Sequence, residues 1–153
     1  MKITGYGIIE KENFQVLDYG AYRIKGKTFP DYLLSLNQWM EKIIRKFHPQ
    51  VMAIEEPFIS SNPRIAIRIG EMVGSLTITG LREGMEVITY STLEVKQAVT
   101  GYGRASKEQM QSMVKRLLGL EEIPSPDDVA DALGIAICHI LTSNWKEKTG
   151  KVD

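Results

Sequence analysis

Apolar positions along the chain change their spacing several times, and each change marks an element. From Thr4 to Glu10 a short apolar stretch carries Gly5 and Gly7, which predicts a strand that other backbone approaches closely. Phe14–Leu17 and Ala21–Lys25 predict two more strands, with Asp18, Tyr19 and Gly20 near the turn between them, so the chain opens on an antiparallel ribbon. Leu33, Leu36, Met40, Ile43, Ile44 and Phe47 then recur at helical spacing, between Pro30 in a first turn and Pro49 as a stop. Val51–Ile54 is an unbroken apolar run that suits a buried parallel strand, and it ends abruptly at Glu55, Glu56 and Pro57. Asn62 as cap and Pro63 as first position open a second helix toward Leu81. Val87–Tyr90 is another strand. Ser91 or Thr92 opens a helix to Val99, broken by Gly101, Tyr102 and Gly103; Ser106 caps a helix to Leu118; Asp127–Leu141 is the last helix. The polar residues from Ser143 onward are expected to fray.

Hairpin strands followed by alternating strand and helix predict a mixed sheet with helices on its faces. At 153 residues, 43% of them apolar, the chain suits one compact domain, placed at 1–145 with a polar tail at 146–153. Nineteen basic and 19 acidic residues cancel to zero net charge, which weighs against nucleic acid unless the basic residues gather on one face. The one cysteine, Cys138, forms no internal disulfide and fits a reducing compartment as a buried thiol. Lys2, Glu10, Lys11 and Glu12 interrupt any secretory leader, and no apolar run approaches the roughly 20 residues that span a bilayer. A cytoplasmic protein without membrane partners is the expectation.

Three acids stand out. Glu55 ends an apolar strand, where open α/β sheets place their ligands; it is equally read as a solvated glutamate before a loop. Asp128 and Asp131, three apart, share a face of a helix whose other residues are nearly all apolar, so Asp131 is expected deep enough to need a basic or cationic partner. Against this, Asp127 and Asp128 suit a helix N-terminus on dipole grounds alone, and Asp131 suits a salt bridge. Taken together, an oxygen-only carboxylate cluster suits a hard cation such as Mg²⁺ or Mn²⁺, and two such ions can drive phosphodiester hydrolysis. Between these acids lie Lys96, Arg104, Lys107, Lys115 and Arg116 with Tyr102. They either converge on phosphates or belong to solvated helices balanced by Glu94 and Glu108. Phe58 is positioned to stack on an unpaired base or to staple the next helix. His48 reads as a helix-end cap, and His139 as a packing residue or a site contact on the helix of Asp131.

Thr4-Gly5-Tyr6-Gly7-Ile8-Ile9, Ala53-Ile54-Glu55 with Phe58, Val95-Lys96-Gln97 through Gly103 and Lys107 to Leu118, and Asp128-Val129-Ala130-Asp131-Ala132-Leu133-Gly134-Ile135-Ala136 together resemble the RuvC-type Holliday junction resolvases. Each motif alone is weak; all four in register, over nearly the whole chain, are specific. The resemblance implies a ribonuclease-H-like mixed five-stranded sheet flanked by helices. It implies a homodimer that binds four-way junction DNA and nicks two strands symmetrically in recombination and repair, with branch-migration proteins as partners. Glu55, Asp128 and Asp131 would be metal ligands, with two Mg²⁺ (or Mn²⁺) ions in a complete site. Lys96 and Lys107 would be the basic active-site residues, with Arg104 on the DNA beside them. Phe58 would stand at the junction centre, and the helix after Asn62 would join the dimer interface.

One departure follows. Members of the family carry Gly-Ile-Asp-Pro-Gly in an interior strand just ahead of the Thr-Gly-Tyr-Gly motif, and its aspartate is the fourth ligand. Here Met1-Lys2-Ile3 leads straight into Thr4, so that strand and aspartate are not in this sequence. The expectations are a start site placed too late, a degenerate relative that binds junctions without cleaving them, or a rearranged Met1–Gly7. A sugar-kinase or actin-like nucleotide-binding half shares the element order, but Gly101-Tyr102-Gly103 lacks the pattern of a phosphate loop.

Overall fold

The structure, a computed structural model, describes residues 3–56 and 61–151. Among the described residues four strands and five helices follow in the order β1 (Ile3–Ile9), β2 (Val16–Arg23), α1 (Phe29–Phe47), β3 (Val51–Glu55), α2 (Pro63–Arg82), β4 (Glu86–Tyr90), α3 (Thr92–Thr100), α4 (Lys107–Leu118) and α5 (Asp127–Thr149). The chain divides into two compact units, one over 23–91 and one formed by 3–22 with 92–153. Among the described residues the strands pair as two separate two-stranded sheets, β1 with β2 and β3 with β4. The mixed α/β order is the one the sequence predicts. The interior strand that the resemblance supplies is not among these four, and no described strand joins the two pairs.

In the first unit, β3 and β4 run parallel, Val51 opposite Glu86 through Glu55 opposite Tyr90, with α2 as the crossover. Helix α2 lies close on this pair because Gly80 offers no side chain: a Cβ there would stand 2.8 Å from a Val87 methyl carbon. Thr28 and Asp31 close a capping box at the start of α1. His48 ends that helix in the left-handed conformation (φ 50°), its N–H donating to the Ile44 carbonyl at 2.8 Å. Asn37 ties α1 to α2, donating to Ser75 Oγ at 3.0 Å and accepting from the buried Thr79 hydroxyl. Strand β3 is less buried than its composition suggests. Met52 is buried but Ala53 and Ile54 are only half-buried, because among the described residues β3 has a strand partner on one edge alone.

In the second unit, α5 is the centre. Its Val129, Ala130, Leu133, Gly134, Ile135, Ile137, Cys138 and Ile140 are buried against β1, α3 and α4. The glycines of β1 make this packing possible. A Cβ on Gly5 would stand 2.0 Å from the Asp128 carbonyl oxygen, and one on Gly7 would stand 2.3 Å from Leu133 Cδ2. Strand alternation sends Tyr6 to the opposite face, where its hydroxyl donates to Asp18 at 2.9 Å over Gly20. Burial raises the Cys138 thiol's pKa above its ordinary value, as expected of an inert core cysteine.

Two elements differ from expectation. Val16–Arg23 is one strand, not two flanking a turn at Asp18-Tyr19-Gly20. Its exposed and half-buried positions alternate without a break, and Gly20 serves the Tyr6 ring, which a Cβ would meet at 3.2 Å. The turn lies earlier, where Glu10 N–H donates to the Gln15 carbonyl at 2.9 Å and Asn13 Oδ1 accepts from Gln15 N–H at 3.0 Å. Helix α5 also continues through the polar residues to Thr149 and ends on Gly150, so the segment expected to fray is helical. A long helix anchored by eight buried residues carries its polar last turns with it. Among the described residues no helix is long and apolar enough to cross a membrane.

Candidate functional site

Asp127 and Asp128 lie in the first turn of α5, which Pro126 opens, and Asp131 follows at the start of the second. Asp127, Asp128 and Asp131 are all exposed. Exposure of Asp131 corrects the expectation of a deep carboxylate. The apolar residues of α5 face inward, while Asp131 lies on the same side as Asp128, at the helix's open end. Asp127 pairs across helices: Lys107 Nζ forms an ion pair with its Oδ2, and Gln111 Nε2 donates to its Oδ1 at 2.9 Å. The Asp127 contact raises the pKa of the Lys107 ammonium, with Asp131 and Asp128 adding smaller pulls of the same sign. The same contact lowers the pKa of the Asp127 carboxyl. The balancing charge on Lys107 is thus Asp127, not the Glu108 beside it.

Lys107 owes its place to the turn between α3 and α4. Gln97 Nε2 donates to the Gly101 carbonyl at 3.1 Å, and Tyr102 N–H donates to Thr100 Oγ1 at 3.1 Å. Gly101 sits at φ 76°, and a Cβ on Gly103 would meet Leu93 at 2.6 Å. Ser106 then caps α4 in a box with Gln109, which presents Lys107 as its first residue. Lys96 is half-buried on α3, while Arg104 and Tyr102 are exposed in the turn.

Glu55 is the exposed last residue of β3, opposite Tyr90, whose carbonyl accepts from Glu56 N–H at 2.8 Å. It belongs to the first unit, and the aspartates to the second. Phe58 lies outside the described residues. His139 is half-buried on α5, about 12 Å along the axis from Asp131. Among the described residues no three carboxylate, imidazole or thiol groups come together to hold a metal ion. Carboxylate oxygens of this kind suit a hard cation chemically. The sequence reading gave Asp127 only a dipole role. The one signal for its pairing is that Lys107 and Gln111 stand four apart at the start of α4.

These elements have known counterparts. A structure of Thermus thermophilus RuvC superposes with a TM-score of 0.81 at 27% identity, covering 92% of this chain and 87% of that one. A second, of T. thermophilus RuvC in complex with Holliday junction substrate, gives 0.83 at 23% identity over 95% and 96% of the two chains. The fold is therefore that of the RuvC nucleases. The family model described as crossover junction endodeoxyribonuclease RuvC matches residues 1–139. A curated protein of that name from Caldicellulosiruptor saccharolyticus is 49% identical over 146 residues, 93% of this chain and 88% of its own length. One from Caldanaerobacter subterraneus is 45% identical over 95% of this chain and 90% of its own. This chain belongs to the RuvC family of crossover junction endodeoxyribonucleases.

Proposed function

We propose that this protein is a structure-selective endodeoxyribonuclease that resolves four-way DNA junctions by symmetric, divalent-cation-dependent hydrolysis in recombination and repair. The observation that carries the reading is membership of the family over residues 1–139, with the Asp128–Asp131 motif, Lys107 and the Gly5–Gly7 strand brought together in one unit. Mg²⁺, with Mn²⁺ as the alternative, is the ion we assign to Glu55, Asp128 and Asp131. Lys96, Arg104 and Lys107 are assigned to the DNA backbone, and Phe58 to the opened bases. Residues 1–145 act as one nuclease domain, in the cytoplasm, with branch-migration proteins as partners.

A homodimer fits the two-fold symmetry of the substrate. It is supported by one face of α2, where Ile67, Gly70, Gly74, Ile78 and Leu81 fall in line and are all exposed, with open space above both glycines. Small residues between apolar ones admit close approach of a second helix.

The test is nicking of a synthetic four-way junction with Mg²⁺ or Mn²⁺, against linear duplex. Junction-selective nicking that Glu55→Gln, Asp128→Asn and Asp131→Asn each abolish is the expected result. Nicking that survives those changes overturns the metal assignment, and equal action on duplex overturns the substrate. Junction binding without nicking favours a relative that has kept the DNA surface alone.

A further inference from the structure

We infer that Asp127 is a positioning residue for Lys107, holding its ammonium so that a DNA phosphate must displace a carboxylate before Lys107 engages it. The inference rests on the reading of Lys107 as a DNA-backbone contact. Asp127 is not among the acids that the resemblance assigns to metal, and both of its oxygens are already used: Oδ2 on Lys107 and Oδ1 on Gln111 at 2.9 Å. Lys107 and Gln111, one turn apart on α4, grip it from the same helix face. Gln111 is half-buried, so it fixes the carboxylate while the pair itself stays open to a ligand, with side chains 55% and 58% exposed.

The arrangement acts as a threshold. An exposed ion pair is weak, so a backbone held at many points can displace Asp127 and recruit Lys107. A backbone touching at few points cannot. With Asp127 in place, Lys107 adds little to binding of a poorly fitting duplex.

The experiment is a double-mutant cycle on the full chain, measuring affinity for a fluorescent four-way junction and a linear duplex in EDTA across a salt series. The proteins are wild type, Asp127→Asn, Lys107→Gln and the double variant, with Asp127→Glu as the conservative control. Asp127→Asn is expected to tighten duplex binding and to steepen its slope of log K against log salt by about 0.9, the gain of one phosphate contact. Lys107→Gln is expected to cost duplex affinity in the Asp127→Asn background only and junction affinity in both, junction-over-duplex preference is expected to fall in Asp127→Asn, and Asp127→Glu is expected to behave as wild type. A cost of Lys107→Gln to duplex affinity that is equal in both backgrounds, or larger in wild type, overturns the restraint while leaving Lys107 on the DNA. No cost in either background overturns the reading of Lys107 itself.

Discussion

Helices α2 and α5 are both long, apolar and glycine-containing, yet one is enclosed and the other presents a bare face. Along α5 the glycines that matter belong to its neighbour: Gly5 and Gly7 of β1 vacate the space that the Asp128 backbone and Leu133 occupy. Along α2 the glycines are its own. Gly80 turns inward onto Val87, while Gly70 and Gly74 turn outward with nothing within 4 Å. Apolar content is similar; what differs is whether the void left by a glycine is filled from within the unit. A filled void marks a packing seam, and an open one marks a surface with room for another molecule.

The seam should fail first. Leu133 is fully buried, and Leu133→Ala is expected to cost about 2–5 kcal/mol in urea unfolding. Gly5→Ala places a methyl group against the Asp128 carbonyl, which is backbone and cannot swing away, so β1 must lift from α5. A loss of about 1–3 kcal/mol is expected, and a wild-type urea midpoint for Gly5→Ala would show the seam to be looser than described. The α2 face should respond in the opposite way. Ile67 is 62% exposed, so Ile67→Glu is expected to change the stability of dilute protein in urea unfolding by no more than about 0.5 kcal/mol. In sedimentation the same variant should run as a monomer. A dimer that persists in both Ile67→Glu and Ile78→Glu would remove this face from the interface.

Gly70→Ala sharpens the contrast further, because its two effects have opposite sign. An added Cβ meets nothing inside the protein, and a helix-interior alanine is favoured over glycine by about 0.5–1 kcal/mol. The dilute chain should therefore gain that much stability in thermal or urea unfolding, while its dimer dissociates at higher concentration than wild type. A gain in both would mean that no second helix approaches there.

The sequence alone disclosed most of the elements, and the reasons are local. Asn62 with Pro63, Ser106, and the helical spacing of Leu33 through Phe47 each carry their own start or repeat signal, and the structure places helices there. The close approach at Gly5 and Gly7 was also legible, since glycine in a strand has few other uses. What stayed hidden depended on distant partners. Asp18-Tyr19-Gly20 has turn composition, and only the Tyr6 ring lying across Gly20 explains why the strand runs through it. The exposure of Asp131 was hidden because an apolar helix shows how much of it is buried but not which end stays open. At the site, the motif register picked out Lys107, Asp128 and Asp131, but Asp127 emerged only when α4 and α5 were set side by side.

The smallest expected effect lies on the far side of the β1 seam. Tyr6 faces away from α5, and its pKa is pushed up to about 12 by burial first, then by the hydrogen bond to Asp18 and that carboxylate's charge. All three causes disfavour the phenolate in the folded state. The stability this residue contributes is thus fully present below pH 10, the ordinary tyrosine value, and drains away as pH rises toward 12. Tyr6→Phe should lose about 1 kcal/mol or less at neutral pH, the net worth of one hydrogen bond that is only partly shielded from water. It should also flatten the decline in stability between pH 10 and 12, leaving Leu133→Ala as destabilising as before. In ultraviolet titration of the folded protein, one tyrosine should ionise well after the ordinary value and be absent from the Tyr6→Phe curve. If that late step persists in Tyr6→Phe, it belongs to another tyrosine, and the hairpin side of β1 is more open than the α5 side by more than the geometry indicates.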